Sequence, residues 1–370
     1  MSEVRSVPFF DYQIFEKRYG KKLIDVIKNV VSRGAFILQK DLDNFENRIA
    51  KYLGTKHAIG VANCTDGLIL ALEASGLKSG DEVILPSHTF IATASAVYRL
   101  GGIPVPIECG KDHMMDVDCM EKVISSKTTT IMPVQLNGRT CQMDAVLDIA
   151  KKHGLNVIED AAQALGSKYK DKFAGTFGKA AAFSFYPAKI LGCFGDGGIV
   201  VTNDDDIADK IYQLHEHGRD KNGEIKSWGY NSRLDNLQAA ILNFIFDEYD
   251  EIIARRRHVA SLYQKYLLPV ESLLLPPGPD CSDHFDVYQN YEIEAENRDE
   301  LQDYLKSVGI GTLRQWGGMA VHQHKVLGFD VVLPQTEQMI TKELMIPMNM
   351  SVTDDDILYV SNHIKKFYSK

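Results

Sequence analysis

The sequence predicts an α/β fold, in which a large domain built on a mainly parallel sheet is followed by a smaller α+β domain. Seven short apolar runs, each typical of a buried strand, lie between residues 57 and 202. Segments with helical apolar spacing lie between some of these runs, as parallel neighbouring strands require. After about residue 250, the pattern changes to a long charged helix, a proline-rich break and an alternating strand.

The predicted strands and helices alternate along the first two thirds of the chain. In order, the strands are HAIGVAN at 57–63, DEVILPS at 81–87, IPVPIEC at 103–109, TTTIMPVQL at 128–136, LNVIEDAA at 155–162, AAAFSF at 180–185 and IVVT at 199–202. Helices are predicted at 39–54, where Gly54 ends the pattern, and at 65–77, 89–102 and 143–154. Helices would cover both faces of such a sheet, and ligands would bind at the carboxyl ends of its strands.

The final third predicts a separate, smaller unit. A long charged helix is predicted at 247–267, a proline-rich break at 272–281, a strand with one exposed face at 285–296, and helices at 297–310 and 353–369. The last helix begins with an acidic cap. We therefore expect a large domain over residues 1–250 and a small domain over residues 251–370.

Composition and charge exclude several classes of function. Hydrophobic residues are 45% and charged residues 25% of the chain, which is typical of a soluble globular protein. The net charge of -9 argues against nucleic acid as a partner. Six scattered cysteines form no C-x-x-C pair, so no metal site is predicted. Because neither a signal segment nor a membrane-length apolar run is visible, we expect a cytoplasmic protein without membrane contact.

Lys189 is the first candidate for chemistry, because it lies between two predicted strands. Four glycines follow it closely: Gly192, Gly195, Gly197 and Gly198. Burial lowers the pKa of a lysine and supplies the neutral amine that bonds an aldehyde. The alternative is a loop lysine whose amine extends to solvent, and for a lone lysine this alternative is the commoner case. Neighbouring residues must therefore decide between the two interpretations.

Asp160 is the second candidate, at the end of the strand LNVIEDAA. A carboxylate at this edge of the sheet can keep the ring nitrogen of a pyridine cofactor protonated. The alternative is that Asp160 caps a helix over the following AAQALG segment.

A third feature is the turn NCTDG at 63–67, which joins a strand to a helix predicted to begin at Thr65 or Asp66. Free backbone N–H groups at a helix start suit a phosphate, although any strand-to-helix turn has this character. The spacing of nucleotide-binding glycine motifs is absent. Ser184 could add a hydroxyl to the same phosphate. Phe90 could stack on a flat ring, or could pack in the core.

Seven segments together resemble the DegT/DnrJ/EryC1/StrS family of sugar-nucleotide aminotransferases, and they extend over most of the chain. They are NCTDGLILAL (63–72), LPSHTFIATASAV (85–97), VIEDAAQALGSKY (157–169), FSFYPAKILGCFGDGGIVVTND (183–204), HGRDK (217–221), GYNSRLDNLQAAIL (229–242) and LPQTEQMITKELMIPMN (333–349). The resemblance implies an aspartate-aminotransferase-like fold (fold type I), pyridoxal 5'-phosphate (PLP) as cofactor, and a homodimer with its active site at the subunit interface.

The resemblance also implies roles for individual residues. Lys189 would attach the cofactor and move protons, and Asp160 would pair with the ring nitrogen. The further cofactor contacts would be Cys64 and Thr65 with Ser184 at the phosphate, Phe90 on the ring, Gln163 at the ring hydroxyl, and Asn231 from the partner subunit. Candidate substrate contacts are His217, Arg219, Arg314, Trp316 and His322, and for each of them a surface or packing role is an equal alternative.

Two segments depart from the family pattern, in regions that face the sugar in the family. Gln135 and Asn137, in PVQLNGRT, replace a histidine and a tyrosine. The segment RQWGGMAVHQH at 314–324 replaces a YP-x-P-x-H pattern. These departures affect the identity of the sugar and leave the residues of the cofactor chemistry in place.

The predicted reaction moves an amino group from glutamate, which becomes 2-oxoglutarate, to a keto group of a nucleotide-linked, dTDP-type keto-6-deoxyhexose. By analogy, the amino-deoxysugar product would enter O-antigen or other lipopolysaccharide biosynthesis. Three alternatives share parts of the pattern. They are a non-catalytic binding or regulatory protein, a sugar dehydratase with histidine in place of the lysine, and a structural α/β protein. Lys189, in order with Asp160 and Ser184, favours the transaminase.

Overall fold

The computed structural model describes residues 5–369, which form twelve α-helices and thirteen strands. The helices are α1 (Ile14–Arg33), α2 (Lys40–Leu53), α3 (Cys64–Ala74), α4 (Ile91–Arg99), α5 (Val117–Val123), α6 (Met143–His153), α7 (Asp205–His215), α8 (Asn236–Phe246), α9 (Tyr249–Leu267), α10 (Arg298–Ser307), α11 (Pro334–Lys342) and α12 (Asp354–Tyr368). The strands are β1 (His57–Val61), β2 (Glu82–Pro86), β3 (Ile103–Ile107), β4 (Thr128–Ile131), β5 (Asn156–Asp160), β6 (Lys168–Tyr169), β7 (Lys172–Phe173), β8 (Ala180–Ser184), β9 (Gly198–Thr202), β10 (Leu273–Leu274), β11 (His284–Phe285), β12 (Tyr291–Ala295) and β13 (Glu343–Ile346).

The seven predicted strands form one sheet in the order β1-β9-β8-β5-β4-β2-β3. The pairs β8–β5, β5–β4, β4–β2 and β2–β3 are parallel, whereas β9 is antiparallel to both of its neighbours. The segment that joins β8 to β9 contains no helix, and a parallel pair would need a longer crossover connection. The prediction of a mainly parallel, seven-stranded sheet is confirmed.

Alternating residues of β8 show how the sheet is buried on both faces. Ala181 and Phe183 pack in a cluster with α1, α2 and α8, and Ala180 and Ala182 pack in a second cluster with α3, α4 and α7. Side chains of a strand point alternately to the two faces, so a strand covered on both sides must be apolar throughout. This burial explains why AAAFSF contains no charged residue before Ser184.

The C-terminal part has its own antiparallel sheet, in the order β10-β12-β13, and its own apolar cluster with α9, α10 and α12. The side chain of Val7 belongs to this cluster. Its backbone is fixed there by two hydrogen bonds of 2.9 Å: the N–H donates to the carbonyl of Gly309, and the carbonyl accepts from the N–H of Gly311. The chain therefore contributes its N-terminal strand-like segment to the C-terminal region. We propose that the two domains divide at the start of α9, close to the predicted residue 250.

Two local predictions need correction. The helix predicted from Thr65 or Asp66 begins at Cys64, because Asn63 is its cap. The single strand predicted at 285–296 is divided into β11 and β12, with Tyr288 between them in the left-handed region at φ 52°. Within residues 5–369, no helix is both long enough and apolar enough to cross a bilayer.

Candidate active site

A cavity of about 510 Å³ opens at the carboxyl ends of the parallel strands. Its walls come from the segments that follow β1, β2, β4, β5 and β8, and from Leu313, Gln315, Trp316 and Met345 in the C-terminal part. This is where the predicted topology places a ligand. The volume lies within the usual range for a small-molecule or cofactor site.

Lys189 lies in the loop after β8, with its side chain in the wall of the cavity. Its backbone N–H donates to the carbonyl of Tyr186 at 2.8 Å, which closes a turn and holds the side chain at the sheet edge. Burial lowers the pKa of the Lys189 amine, and the nearby Cys64 and Asp160 oppose this shift only in part. The amine is therefore held in a place that favours its neutral, nucleophilic form.

Asp160 ends β5 and is buried at the same cavity. Its Oδ2 accepts from the Thr93 hydroxyl at 2.8 Å, and its Oδ1 accepts from the N–H of Ala162 at 3.2 Å. Burial raises the pKa of Asp160, although Thr93, Ala162 and Lys189 act in the opposite direction. No helix begins after Asp160, so its interpretation as a helix cap is wrong.

Two threonines missed by the sequence reasoning position the Asp160 carboxylate. The Thr93 hydroxyl donates to Asp160, and the hydroxyls of Thr89 and Thr93 lie 2.6 Å apart. Because the proton of Thr93 is used on Asp160, Thr89 is the donor in the second bond. The i, i+4 spacing of the two threonines in the TFIAT segment is the sequence signal that indicates such a pair.

The predicted phosphate turn has the expected free donors. Asn63 Oδ1 caps α3 by accepting from the N–H of Asp66 at 2.9 Å. Among the described residues, no acceptor meets the N–H groups of Cys64 and Thr65. Both residues and Ser184 line the cavity. The helix start thus presents two backbone donors and a hydroxyl to one place, as an anion requires.

Gly198, the first residue of β9, packs directly against this turn. A Cβ on Gly198 would lie 2.6 Å from the carbonyl carbon of Asn63 and 2.7 Å from the nitrogen of Cys64. These are backbone atoms that cannot move away without displacing the turn, so the position needs glycine for close approach.

We expect Gly198→Ala to weaken the binding of pyridoxal 5'-phosphate about tenfold or more, because the displaced N–H groups lose hydrogen bonds to a charged phosphate. The measurement is a fluorescence titration of the apoprotein with the cofactor. Gly278→Ala is the matched control, since an added Cβ there meets only the side chain of Gln264 at 3.5 Å. Equal affinities for both variants would show that the turn does not hold the phosphate.

Phe90 and Gln163 also line the cavity. Phe90 directly precedes α4, and its ring is 53% exposed, so it is not a core residue. Gln163 Oε1 accepts from the N–H of Asn137 at 2.8 Å, which fixes the amide at the wall. An exposed ring beside a buried carboxylate provides a stacking surface for a flat heterocycle.

The predicted substrate residues do not all reach the cavity. Trp316 lines it and contacts the ring of His88, whereas Arg314 is absent from the lining and lies 3.5 Å from Asp299. His322 is buried behind the wall, where its ring nitrogens bond Ser87 Oγ at 2.6 Å and Glu337 at 3.1 Å. We assign His322 to packing, because both of its polar atoms are already used.

Three further candidates lie outside the cavity of this chain. His217, Arg219 and Asn231 are exposed residues of the segment that follows α7 and precedes α8. Asn231 pairs with Glu216 by a backbone bridge, and Arg219 lies 3.7 Å from the Glu216 carboxylate. The single chain does not bring these three residues to Lys189, which agrees with a contribution from a partner subunit.

Gln135, which replaces a histidine of the family pattern, has its side-chain amide bonded within the protein. Its Nε2 donates to Glu159 Oε2 at 2.8 Å, and its Oε1 accepts from the N–H of Cys141 at 2.7 Å. Glu159 also accepts three backbone N–H groups, from Gly175, Phe177 and Gly178. Gln135 is therefore occupied by a buried structural network.

The donor set fits pyridoxal 5'-phosphate. A buried lysine of lowered pKa, a buried carboxylate, an exposed ring and free N–H groups at a helix start surround one cavity. Each group matches one part of that cofactor: aldehyde, ring nitrogen, ring face and phosphate. The fold and the site together define a PLP-dependent aminotransferase of fold type I.

Comparison with known proteins agrees with this class. The model of the DegT/DnrJ/EryC1/StrS aminotransferase family matches residues 17–365, and the chain belongs to this family. It is 36% identical to dTDP-3-amino-3,4,6-trideoxy-alpha-D-glucose transaminase of Streptomyces venezuelae, over 99% of this chain and 97% of the relative. The crystal structure of S. venezuelae DesV superposes with a TM-score of 0.94, at 36% identity and 99% coverage of both chains.

The names of relatives extend beyond one sugar. A protein of Geobacillus stearothermophilus, named as a pleiotropic regulatory protein, is 37% identical over 98% of this chain and 99% of its own length. Other relatives are named for dTDP-linked and UDP-linked sugars. The chain is therefore an aminotransferase that acts on a nucleotide-linked keto sugar, and the comparisons do not select the nucleotide.

Proposed function

We propose that this enzyme transfers the amino group of glutamate to a dTDP-linked keto-6-deoxyhexose, and that the amino-deoxysugar enters a bacterial surface polysaccharide such as O-antigen. The observation that supports amino transfer most strongly is the pairing of a lysine of lowered pKa with a buried carboxylate at one cavity. The deoxysugar is supported by the mainly apolar character of the lining, with Phe90, Leu313, Trp316 and Met345.

The bound cofactor supplies an electron-accepting ring that stabilises a carbanion next to the transferred nitrogen. Asp160, fixed by Thr93, would stabilise the protonated ring nitrogen on which this property depends. Cys64, Thr65 and Ser184 would hold the phosphate, Phe90 would stack on the ring, and Gln163 would contact its hydroxyl. Lys189 would attach the cofactor in the resting enzyme, and its amine would serve as the base and acid for the proton of the donor carbon and of the product carbon.

We also propose that the active enzyme is a homodimer, in which Asn231 of one subunit reaches the phosphate of the other. Asn231 is exposed and lies outside the cavity of its own chain. Large apolar side chains are exposed near the cavity and along α1, as a dimer interface requires. They include Phe10, Tyr12, Ile24, Tyr186 and Phe194.

The substrate is tested by incubating the holoenzyme with glutamate and one of three 4-keto-6-deoxyhexoses, linked to thymidine, uridine or guanosine diphosphate. We expect mass spectrometry to show an amino sugar and 2-oxoglutarate, with the highest kcat/KM for the thymidine-linked sugar. Preference for another nucleotide would reject the dTDP assignment, and failure to form an amino sugar from any of the three would reject a 4-keto-6-deoxyhexose as the acceptor.

A further inference from the structure

The cavity wall at Gln315 is backed by a row of hydrogen-bonded side chains, which are Asn290, Asn137, Gln315, Glu292, His88 and His113. Gln315 Nε2 donates to Glu292 Oε2, and also to Asn137 Oδ1 at 2.8 Å. Asn290 Nδ2 donates to the same Asn137 oxygen at 2.9 Å. Both hydrogens of the Gln315 amide are thus used by acceptors, and nowhere in residues 5–369 does a donor reach its Oε1.

Glu292 is the centre of this row, and it is buried between two histidines. Its Oε1 lies 3.2 Å from His88 Nε2 and also bonds His113 Nδ1. The other ring nitrogen of His113 lies 3.1 Å from Glu294 Oε1. Because a histidine between two carboxylates donates from both nitrogens, His113 is an imidazolium and Glu292 is its anion.

The ionisation of these groups agrees with the geometry. Burial would raise the pKa of Glu292, but His88 and His113 lower it well below its usual range. Burial would lower the pKa of His113, but its bonds to Glu292 and Glu294 raise it to about 10. By contrast, burial and the negative charge of Glu292 raise the pKa of Glu343. The Oε2 atom of Glu343 accepts from the backbone N–H of Gln315 at 3.3 Å.

The same atoms could suggest a metal site, since the ligand atoms of His88, His113 and Glu292 lie within 4.8 Å of one another. A metal needs a lone pair on each histidine. His113 has none to offer, because its two nitrogens donate to two different carboxylates. The cluster is therefore a charge network and, within residues 5–369, its one hydrogen bond to the cavity wall is the bond from Gln315.

We propose that Glu292 is a positioning residue, which orients the Gln315 amide so that Oε1 faces the cavity and accepts a hydrogen bond from the sugar. In the reverse orientation, the amide oxygen would face a buried carboxylate and the Asn137 oxygen, with no proton between them. This inference rests on the proposed function. It specifies the substrate as a sugar that presents a neutral donor, a hydroxyl or an acylamino N–H, at this wall, and it disfavours a carboxylate there.

The test compares the two half-reactions of Glu292→Gln. The sugar half-reaction uses dTDP-4-keto-6-deoxyglucose or UDP-N-acetyl-3-dehydroglucosamine, whichever the wild-type holoenzyme uses better. We expect the KM for the sugar to rise about tenfold, the size of one lost hydrogen bond, while kcat stays within about twofold. Conversion of the cofactor by glutamate, followed by its absorbance, is expected to keep the wild-type rate.

Glu296→Gln is the control, because Glu296 is exposed just after β12 and its carboxylate pairs with Lys342, outside the Gln315 network. We expect its KM for the sugar to match wild type. Gln315→Leu removes the acceptor itself and should raise KM about tenfold. The double variant Glu292→Gln/Gln315→Leu should also show about a tenfold rise, since the two residues act through one hydrogen bond.

Three results would overturn the inference: an unchanged KM in Glu292→Gln, an additive rise of about a hundredfold in the double variant, or equal slowing of the glutamate half-reaction. If Glu292→Gln does not fold, His113→Gln, which removes the charge that keeps Glu292 ionised, must give the same rise in KM. A wild-type enzyme that reacts with glutamate but uses neither sugar would instead reject the proposed function.

Discussion

Lys189→Ala is expected to reduce amino transfer by about a thousandfold or more, the range of a lost general base, and to remove the visible absorbance of the attached cofactor. No other described lysine lines the cavity around Asp160. The substitution removes both the covalent attachment and the group that moves the proton. The free amine of added methylamine is expected to restore part of the activity, because the cavity then has room for a small base.

Lys179→Ala is the control for this result. Lys179 is exposed in the segment before β8, and its hydrogen bonds are made by its backbone: the N–H donates to the carbonyl of Val157 at 2.8 Å, and the carbonyl accepts from the Thr202 hydroxyl at 2.5 Å. The variant should keep wild-type activity and absorbance. A Lys189→Ala enzyme with more than about a tenth of wild-type turnover would contradict the role assigned to Lys189.

Asp160→Asn is expected to retain the cofactor but to lose about a hundredfold in kcat, because the loss is electrostatic. The neutral amide can still accept from Thr93, so the geometry of the site is kept. It cannot stabilise a positive charge on the ring nitrogen, so the ring becomes a poorer electron acceptor. The measurement is the single-turnover rate with glutamate, at saturating cofactor.

The exposed Asp355, in the first turn of α12, provides the control substitution Asp355→Asn, which should behave as wild type. A milder change, Thr93→Val, should lower the rate about tenfold, since it keeps the Asp160 carboxylate but removes one of its hydrogen bonds. Asp160→Asn could instead lose the cofactor and, once reconstituted with it, react at the wild-type rate. That result would show that Asp160 contributes to cofactor binding and not to the reaction.

The sheet was predictable because its strands are buried on both faces. Such strands are continuous apolar runs, as in AAAFSF, and glycines end the helices between them at Gly54 and Gly154. The division of the segment 285–296 was not predictable in this way. Its alternating pattern is typical of a strand with one solvent face, but Glu292 is buried because two histidines from distant segments surround it.

The cofactor side of the cavity was predictable from local sequence, and the sugar side was not. Lys189, Asp160 and the Asn63 turn each follow a strand, so topology alone brings them to one edge of the sheet. Gln315 bonds Asn137 across about half of the chain and also bonds Glu292, and His322 bonds Ser87 in the packed interior. Such pairings depend on how the C-terminal part packs on the sheet, and this packing cannot be predicted from a local sequence pattern.

The most direct test of the account is a two-step reaction of the purified holoenzyme, followed by absorbance. Glutamate alone should remove the visible band in one turnover and release 2-oxoglutarate. After gel filtration removes the glutamate, dTDP-4-keto-6-deoxyglucose alone should restore the band and yield one amino sugar per active site. A band that glutamate leaves unchanged would contradict glutamate as the amino donor, and a band that the keto sugar does not restore would contradict a dTDP-linked 4-keto-6-deoxyhexose as the acceptor.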